Sequence, residues 1–141
     1  MFLFCFPDFS YDVFIIYSSS DRDWVGMRLL PMIEGDYGFK CLFHQRDFEP
    51  GKPIIECIAD AVADSKSTIA VISHKFIASN WCQFELNLAL SEHIERGTNR
   101  VIAIRIDNVS TSHCPRGLQV VDYSSLVTAK DWYAKVIKAL L

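Results

Sequence analysis

Apolar residues along this chain fall into short dense runs and longer periodic ones. Tyr11-Asp12-Val13-Phe14-Ile15-Ile16-Tyr17 is β-branched and aromatic without a clean polar face, and Thr68-Ile69-Ala70-Val71-Ile72-Ser73 is a third, short run of the same kind. Runs of this type read as strands covered on both sides, and hence as members of a parallel sheet. Phe39 to Phe43 gives a second strand and Arg100 to Ile106 a fourth, while Leu118 to Tyr123 reads as a short edge strand.

Between these runs the spacing changes to three and four residues. Trp24, Val25, Leu29, Met32 and Ile33 mark a first helix, with Ser20 and Asp23 placed as its N-cap signal. Pro31 lacks a backbone donor and is expected to kink that helix or end it early. Ile54, Ile58, Ala61 and Val62 share one face of a helix from Ile54 to Asp64. The next helix is expected from Trp81 to about Glu95, with Asn80 as N-cap and Gln83 at the capping-box position. It carries two stripes, Phe84, Leu88 and Ser91 on one side and Leu86, Leu90 and Ile94 on another; Gly97 stops it. Trp132, Val136 and Leu140 mark a last helix packed on the sheet, and Asp107 to Gly117 is a polar loop.

Strands alternating with helices at this rhythm predict an α/β, flavodoxin-like, three-layer fold: a central parallel five-stranded sheet with helices on both faces. Functional groups in such folds gather beyond the strand C-termini. Tyr17 to Asp21, His44 to Pro53 and Ser73 to Glu85 are the stretches placed there.

Within the second of these, Arg46-Asp47-Phe48-Glu49-Pro50-Gly51-Lys52-Pro53 joins a strand to a helix. Glu49 to Lys52 has the chemistry of a type II turn, with proline presetting φ and glycine supplying the positive φ that follows. A stiff turn with Phe48 among Arg46, Asp47, Glu49 and Lys52 offers an apolar anchor inside a charged rim. That composition suits a small, specific protein contact of micromolar affinity or weaker, about −8 kcal/mol or less in magnitude.

Length and composition narrow the classes. At 141 residues the chain is one domain, with residues 1–8 as a flank and 9–141 as its body. Half the residues are hydrophobic, and 14 basic against 17 acidic side chains leave a net charge of −3, so no global field favours nucleic acid or an anionic membrane. The apolar opening, Met1 to Phe6, is too short to span a bilayer and lacks the flanks of a signal peptide. The five cysteines, Cys5, Cys41, Cys57, Cys82 and Cys114, are scattered without metal-site spacing and suit buried thiols in a reducing, cytoplasmic compartment. No glycine-rich phosphate loop is present, and the four histidines sit in separate segments, so neither a Rossmann cofactor nor a metal is expected. Ser73 and His74 are adjacent in sequence, which does not make a nucleophile and base. Glu85 stands out as a carboxylate early in the helix after the third strand, with Trp81 four residues before it. A carboxylate there could stabilise a cationic transition state, or simply complement the helix dipole in solvent.

Taken together, these stretches resemble the Toll/interleukin-1 receptor (TIR) domain. Tyr11 to Ser18 is similar to the family's first box, Arg46 to Gly51 to the second, the BB loop, and Trp81-Cys82-Gln83-Phe84-Glu85-Leu86 to the WCxxEL of Toll-like receptors. Asp131-Trp132-Tyr133 lies where the third box has an FW-like pair, with the phenylalanine replaced. The resemblance implies an innate-immune signalling domain that binds other TIR domains, homotypically or in receptors and adaptors, through Arg46 to Lys52 and without a cofactor. Head-to-tail repetition of such a contact would build an open assembly. In an enzymatic branch of the family the same fold hydrolyses NAD. There Glu85 would be catalytic and the substrate loops would lie near Tyr17, Ser18, Leu42, Phe43 and Trp81. The animal hydrolase carries an aromatic residue at the position matching Leu42, a departure that favours the signalling reading, although Phe43 is adjacent. A soluble adaptor and the cytosolic domain of a membrane receptor both fit the sequence.

Overall fold

The dense apolar runs pair into one sheet. β1 (Tyr11–Ile16), β2 (Cys41–Leu42), β3 (Ser65–Ile72), β4 (Val101–Arg105) and β5 (Gln119–Asp122) lie in the order β2-β1-β3-β4-β5, and every neighbouring pair is parallel. This is the flavodoxin-like order, with its topological switch between β1 and β3. The computed structural model describes residues 9–43, 54–112, 114–115, 118–123 and 129–141.

The pleat sends successive side chains to opposite faces, so each strand feeds two cores. Val13, Ile15, Ile69, Val71, Ile102 and Ile104 pack with Val25, Leu29, Met32, Trp132 and Val136 on one face. Phe14, Ile16, Ala70, Ile72 and Ala103 pack with Ile58, Val62, Phe76, Leu86 and Ala89 on the other. Burying one such large apolar side chain is worth about 1.5–3 kcal/mol, which explains why these strands tolerate no polar face.

The first face is covered by α1, a continuous helical run from Ser19 to Asp36, and by α5 (Ala129–Leu140). Of the two outcomes expected at Pro31, a kink or an early end, the early end does not occur. α1 opens with a 3-10 turn at Ser19–Asp21 and one α turn at Arg22–Trp24, then widens into π turns at Val25–Leu29 and Pro31–Asp36. The Leu30 N–H donates to the Val25 carbonyl and the Tyr37 N–H to the Met32 carbonyl, both five residues back. The helix thus changes its bonding register on either side of the proline rather than stopping there. Its first cap is Ser18, whose hydroxyl accepts from the Ser20 N–H, and not Ser20 itself.

The second face carries α2 (Ile54–Ala63), the short α3 (His74–Ala78) and α4 (Asn80–Glu95). α4 is capped by Ser79, whose hydroxyl accepts from the Cys82 N–H at 3.1 Å; Asn80 is already helical and Gln83 donates instead to the Ile77 carbonyl. Its buried stripe is Cys82, Glu85, Leu86, Ala89 and His93, while Phe84 and Ile94 face solvent, so the two predicted stripes are replaced by one between them. Gly97 ends the helix with φ +69°, a conformation that costs glycine nothing.

Two strand boundaries also differ. β2 is two residues rather than five, and β3 begins at Ser65 rather than Thr68. Ser65 and Ser67 are buried because their backbones pair with Tyr11 and Val13. An apolar-run criterion cannot see that pairing.

Candidate functional site

The order β2-β1-β3 brings three strand ends side by side, and the residues just beyond them converge. From the β1 end come Tyr17 and Ser18, then Asp21 and Arg22 in the first turns of α1. Phe43 follows β2, Ser73 follows β3, and Cys82 and Glu85 lie in the first turns of α4. Ser73 ties two of the loops together. Its hydroxyl donates to the Asp21 carboxylate at 2.5 Å and accepts from the Phe76 N–H at 3.0 Å, which caps α3. The Phe43 ring meets Tyr17 with centroids 6.0 Å apart.

Glu85 is the unusual group. It is 0% exposed, and among the described residues neither carboxyl oxygen has a hydrogen-bond partner. Burial pushes its carboxyl up to about 8, so the acid is mostly protonated at neutral pH. Holding it charged there costs on the order of 5 kcal/mol. The solvated helix carboxylate considered from the sequence is therefore not what the fold contains. Neighbouring groups register the same environment. Burial raises the Tyr17 phenol to about 12, Arg22 opposes this, and Glu85 adds to it. The Cys82 thiol is raised chiefly by burial, with Ser79 opposing and Glu85 and Asp21 contributing.

The residues singled out in the sequence meet different fates. Tyr17, Ser18, Phe43 and Glu85 come to this edge. Leu42 does not, because it points into the second core beside Phe14 and Ile58. Trp81 lies at the rim, 37% exposed, and packs on Phe84 at 5.4 Å rather than beside Glu85. Arg46, Asp47, Phe48, Glu49, Pro50, Gly51 and Lys52 lie outside the described residues. His74 is turned away from Ser73 and pairs with Asp107 at 3.1 Å. Among the described residues no group of three or more His, Cys, Asp or Glu side chains is arranged to hold a metal ion. Asp21 was reachable only as the end of a polar turn; its bond to Ser73 spans 52 positions and leaves no local signal.

The third-box tryptophan has a structural place. Trp132 is buried and forms a triangle with Trp24 and Tyr123, with centroid distances of 5.6 and 5.1 Å from Trp132 and 5.2 Å between the other two. The triangle joins α5, α1 and the end of β5.

A parallel sheet in the order β2-β1-β3-β4-β5 with helices on both faces defines the class: an α/β domain of doubly wound, flavodoxin-like architecture. The chain belongs to the TIR domain family, whose model matches residues 13–141. Toll-like receptor 13 of Mus musculus is 34% identical over 128 residues, covering 87% of this chain and 13% of the receptor. Toll-like receptor 4 of Pinctada imbricata is 34% identical over 110 residues, covering 77% of this chain and 12% of that protein. The TIR domain of the Toll-related receptor TRR-2 from Hydra magnipapillata superposes with a TM-score of 0.81 at 27% identity, covering 93% of this chain and 98% of that one. The chain thus spans about an eighth of the length of the receptors it matches. Homology to Toll-like receptors is consistent with innate-immune signalling. Among the described residues no helix is long and apolar enough to cross a membrane.

Proposed function

We propose that this TIR domain acts by binding other TIR domains, its own copies or those of receptors and adaptors, on the cytosolic side of the membrane. The observation that carries this reading is the match to Toll-like receptor 13 over 87% of the chain, together with the presence of Arg46-Asp47-Phe48-Glu49-Pro50-Gly51-Lys52 in the sequence. A preorganised turn lowers the ordering cost of a contact, so a small apolar anchor with a charged rim suffices for weak, specific association. Clustering of the parent proteins then supplies avidity. Because the turn would dock on a different surface of the next domain, repetition leads to an open assembly.

NAD hydrolysis is the second reading, and one observation speaks for it: Glu85 is held at the carboxyl edge within reach of the Tyr17 and Phe43 cluster. The same residue speaks against it in this conformation, being 0% exposed and predominantly neutral. The deciding experiment pairs two variants. Pro50→His is expected to abolish recruitment of a partner TIR domain in a pull-down, and unchanged recruitment would sink the interface. Purified domain clustered on a multivalent support and incubated with NAD is expected to release no nicotinamide. Release that disappears in Glu85→Ala would make the protein an enzyme.

A further inference from the structure

The amino edge of the sheet, opposite the site above, holds a cavity of about 410 Å³ lined by Phe9, Lys66, Arg96, Thr98 and Arg100. Lys66 is the second residue of β3, Arg100 precedes β4, and Arg96 and Thr98 follow α4. Three cations therefore share one hollow, and none of the described lining residues is a carboxylate. Glu92, a turn back on α4, is the acid that reaches Arg96 electrostatically. The two arginines are fixed before any ligand arrives. Arg96 Nη1 donates to the Ser65 carbonyl, and its guanidinium stands 5.2 Å from the Phe9 ring centroid. Arg100 donates through Nε to Ser67 Oγ at 2.9 Å and through Nη2 to the Leu140 carbonyl at 2.7 Å. Lys66 is exposed, and among the described residues it makes no hydrogen bond or ion pair.

Like charges gathered around a hollow repel one another, and an anion in the hollow relieves that cost. Held guanidinium forks beside a mobile ammonium suit a tetrahedral oxyanion, which accepts from several directions at once. The cavity exceeds the size of a bare phosphate, and its walls are mostly hydrocarbon, from Phe9 and the stems of the basic side chains. We propose that this amino-edge cavity binds a phosphate monoester, with the phosphate held by Lys66, Arg96 and Arg100 and the organic body against Phe9. The ester's source is either a small molecule or a lipid headgroup.

The test is a titration of the full chain at low salt with phenyl phosphate, followed by amide chemical shifts, with phenol as the uncharged control. Saturable shifts confined to the surroundings of Phe9, Lys66, Thr98 and Arg100, absent with phenol, are expected. Lys66→Glu, at an exposed position with no bond to lose, is expected to fold normally and weaken binding roughly tenfold or more. Phosphatidylcholine vesicles carrying phosphatidylinositol 4-phosphate separate the sources: co-sedimentation lost in Lys66→Glu identifies a lipid headgroup, and soluble binding alone identifies a small molecule. No saturable shift by about 10 mM together with no vesicle binding, shifts centred elsewhere, or undiminished binding by Lys66→Glu would overturn the proposal. None of these outcomes depends on TIR–TIR association.

Discussion

Ser73 and Asp21 are joined by a 2.5 Å hydrogen bond that closes the gap between the loops after β3 and β1. The Ser73 hydroxyl serves twice, since it also accepts from the Phe76 N–H. A hydrogen bond to a charged group contributes about 1.5–3 kcal/mol and a cap about 1 kcal/mol, but Asp21 is only partly buried and can turn to water. Ser73→Ala is therefore expected to cost roughly 2 kcal/mol, read as a lower urea midpoint with an unchanged slope. Asp21→Asn keeps the cap and is expected to cost less. Equal losses in the two variants would show that the cap contributes nothing.

Glu85 makes stability depend on pH in the direction opposite to most carboxylates. Its folded value of about 8 lies above the ordinary 4.5, so between those values the native state holds a proton that the unfolded chain has released. Stability attributable to Glu85 then falls as pH rises through this window, by about 1.4 kcal/mol per pH unit. Glu85→Gln cannot titrate. The difference in unfolding free energy between it and the wild type is expected to shift in the variant's favour from pH 4.5 to 8 and to stay constant above. A pH-independent difference would place the folded carboxyl at its ordinary value.

The parallel sheet, both helical layers and the final helix were legible because burial on both faces demands unbroken apolar strands, and because Trp132, Val136 and Leu140 repeat at helical spacing. The caps were missed by two positions at α1, Ser18 in place of Ser20, and by one at α4, Ser79 in place of Asn80, since neighbouring serine and asparagine side chains offer similar acceptors and only backbone geometry chooses between them. At Pro31, of a kink or an early end, the end is absent: the helix continues through π turns on either side of a residue that still lacks a donor. In the site, Glu85 was found by position, but its burial was not, because nothing in WCQFELNL tells which side of α4 meets the sheet. Ser73 with Asp21, Arg96 with Ser65 and Arg100 with Ser67 are contacts between distant segments and left no local trace.

The Trp24–Tyr123–Trp132 triangle fastens the last helix to the first. Trp132→Ala removes a large buried side chain from a packed face and is expected to cost about 3–5 kcal/mol. Trp132→Phe keeps an aromatic surface and is expected to lose under half of that. Thermal melts of the three proteins give the ranking, and an alanine variant as stable as the phenylalanine one would mean that α5 does not anchor the fold.

His93 supplies the counterpart to Glu85 on the same helix face. Burial first, then Arg96 and Arg100, push its imidazole down to about 4, and the ring lies 2.9 Å from Thr98 Oγ1 and 3.4 Å from Thr68 Oγ1. Between pH 4 and the ordinary 6.5 the unfolded chain takes up a proton that the native state refuses. Stability attributable to His93 is thus complete above 6.5 and is lost as pH falls toward 4, again by about 1.4 kcal/mol per unit. Across pH 4.5 to 6.5 the two residues oppose each other with equal slopes, leaving only the Glu85 decline between 6.5 and 8. In its own profile, Glu85→Gln is expected to show stability rising up to pH 6.5 and then level, and His93→Gln a fall beginning near 4.5. Combining the substitutions should remove both contributions together. Urea titrations of the four proteins at half-unit pH intervals make the comparison, and a double variant that keeps the wild-type profile would mean that neither residue carries it.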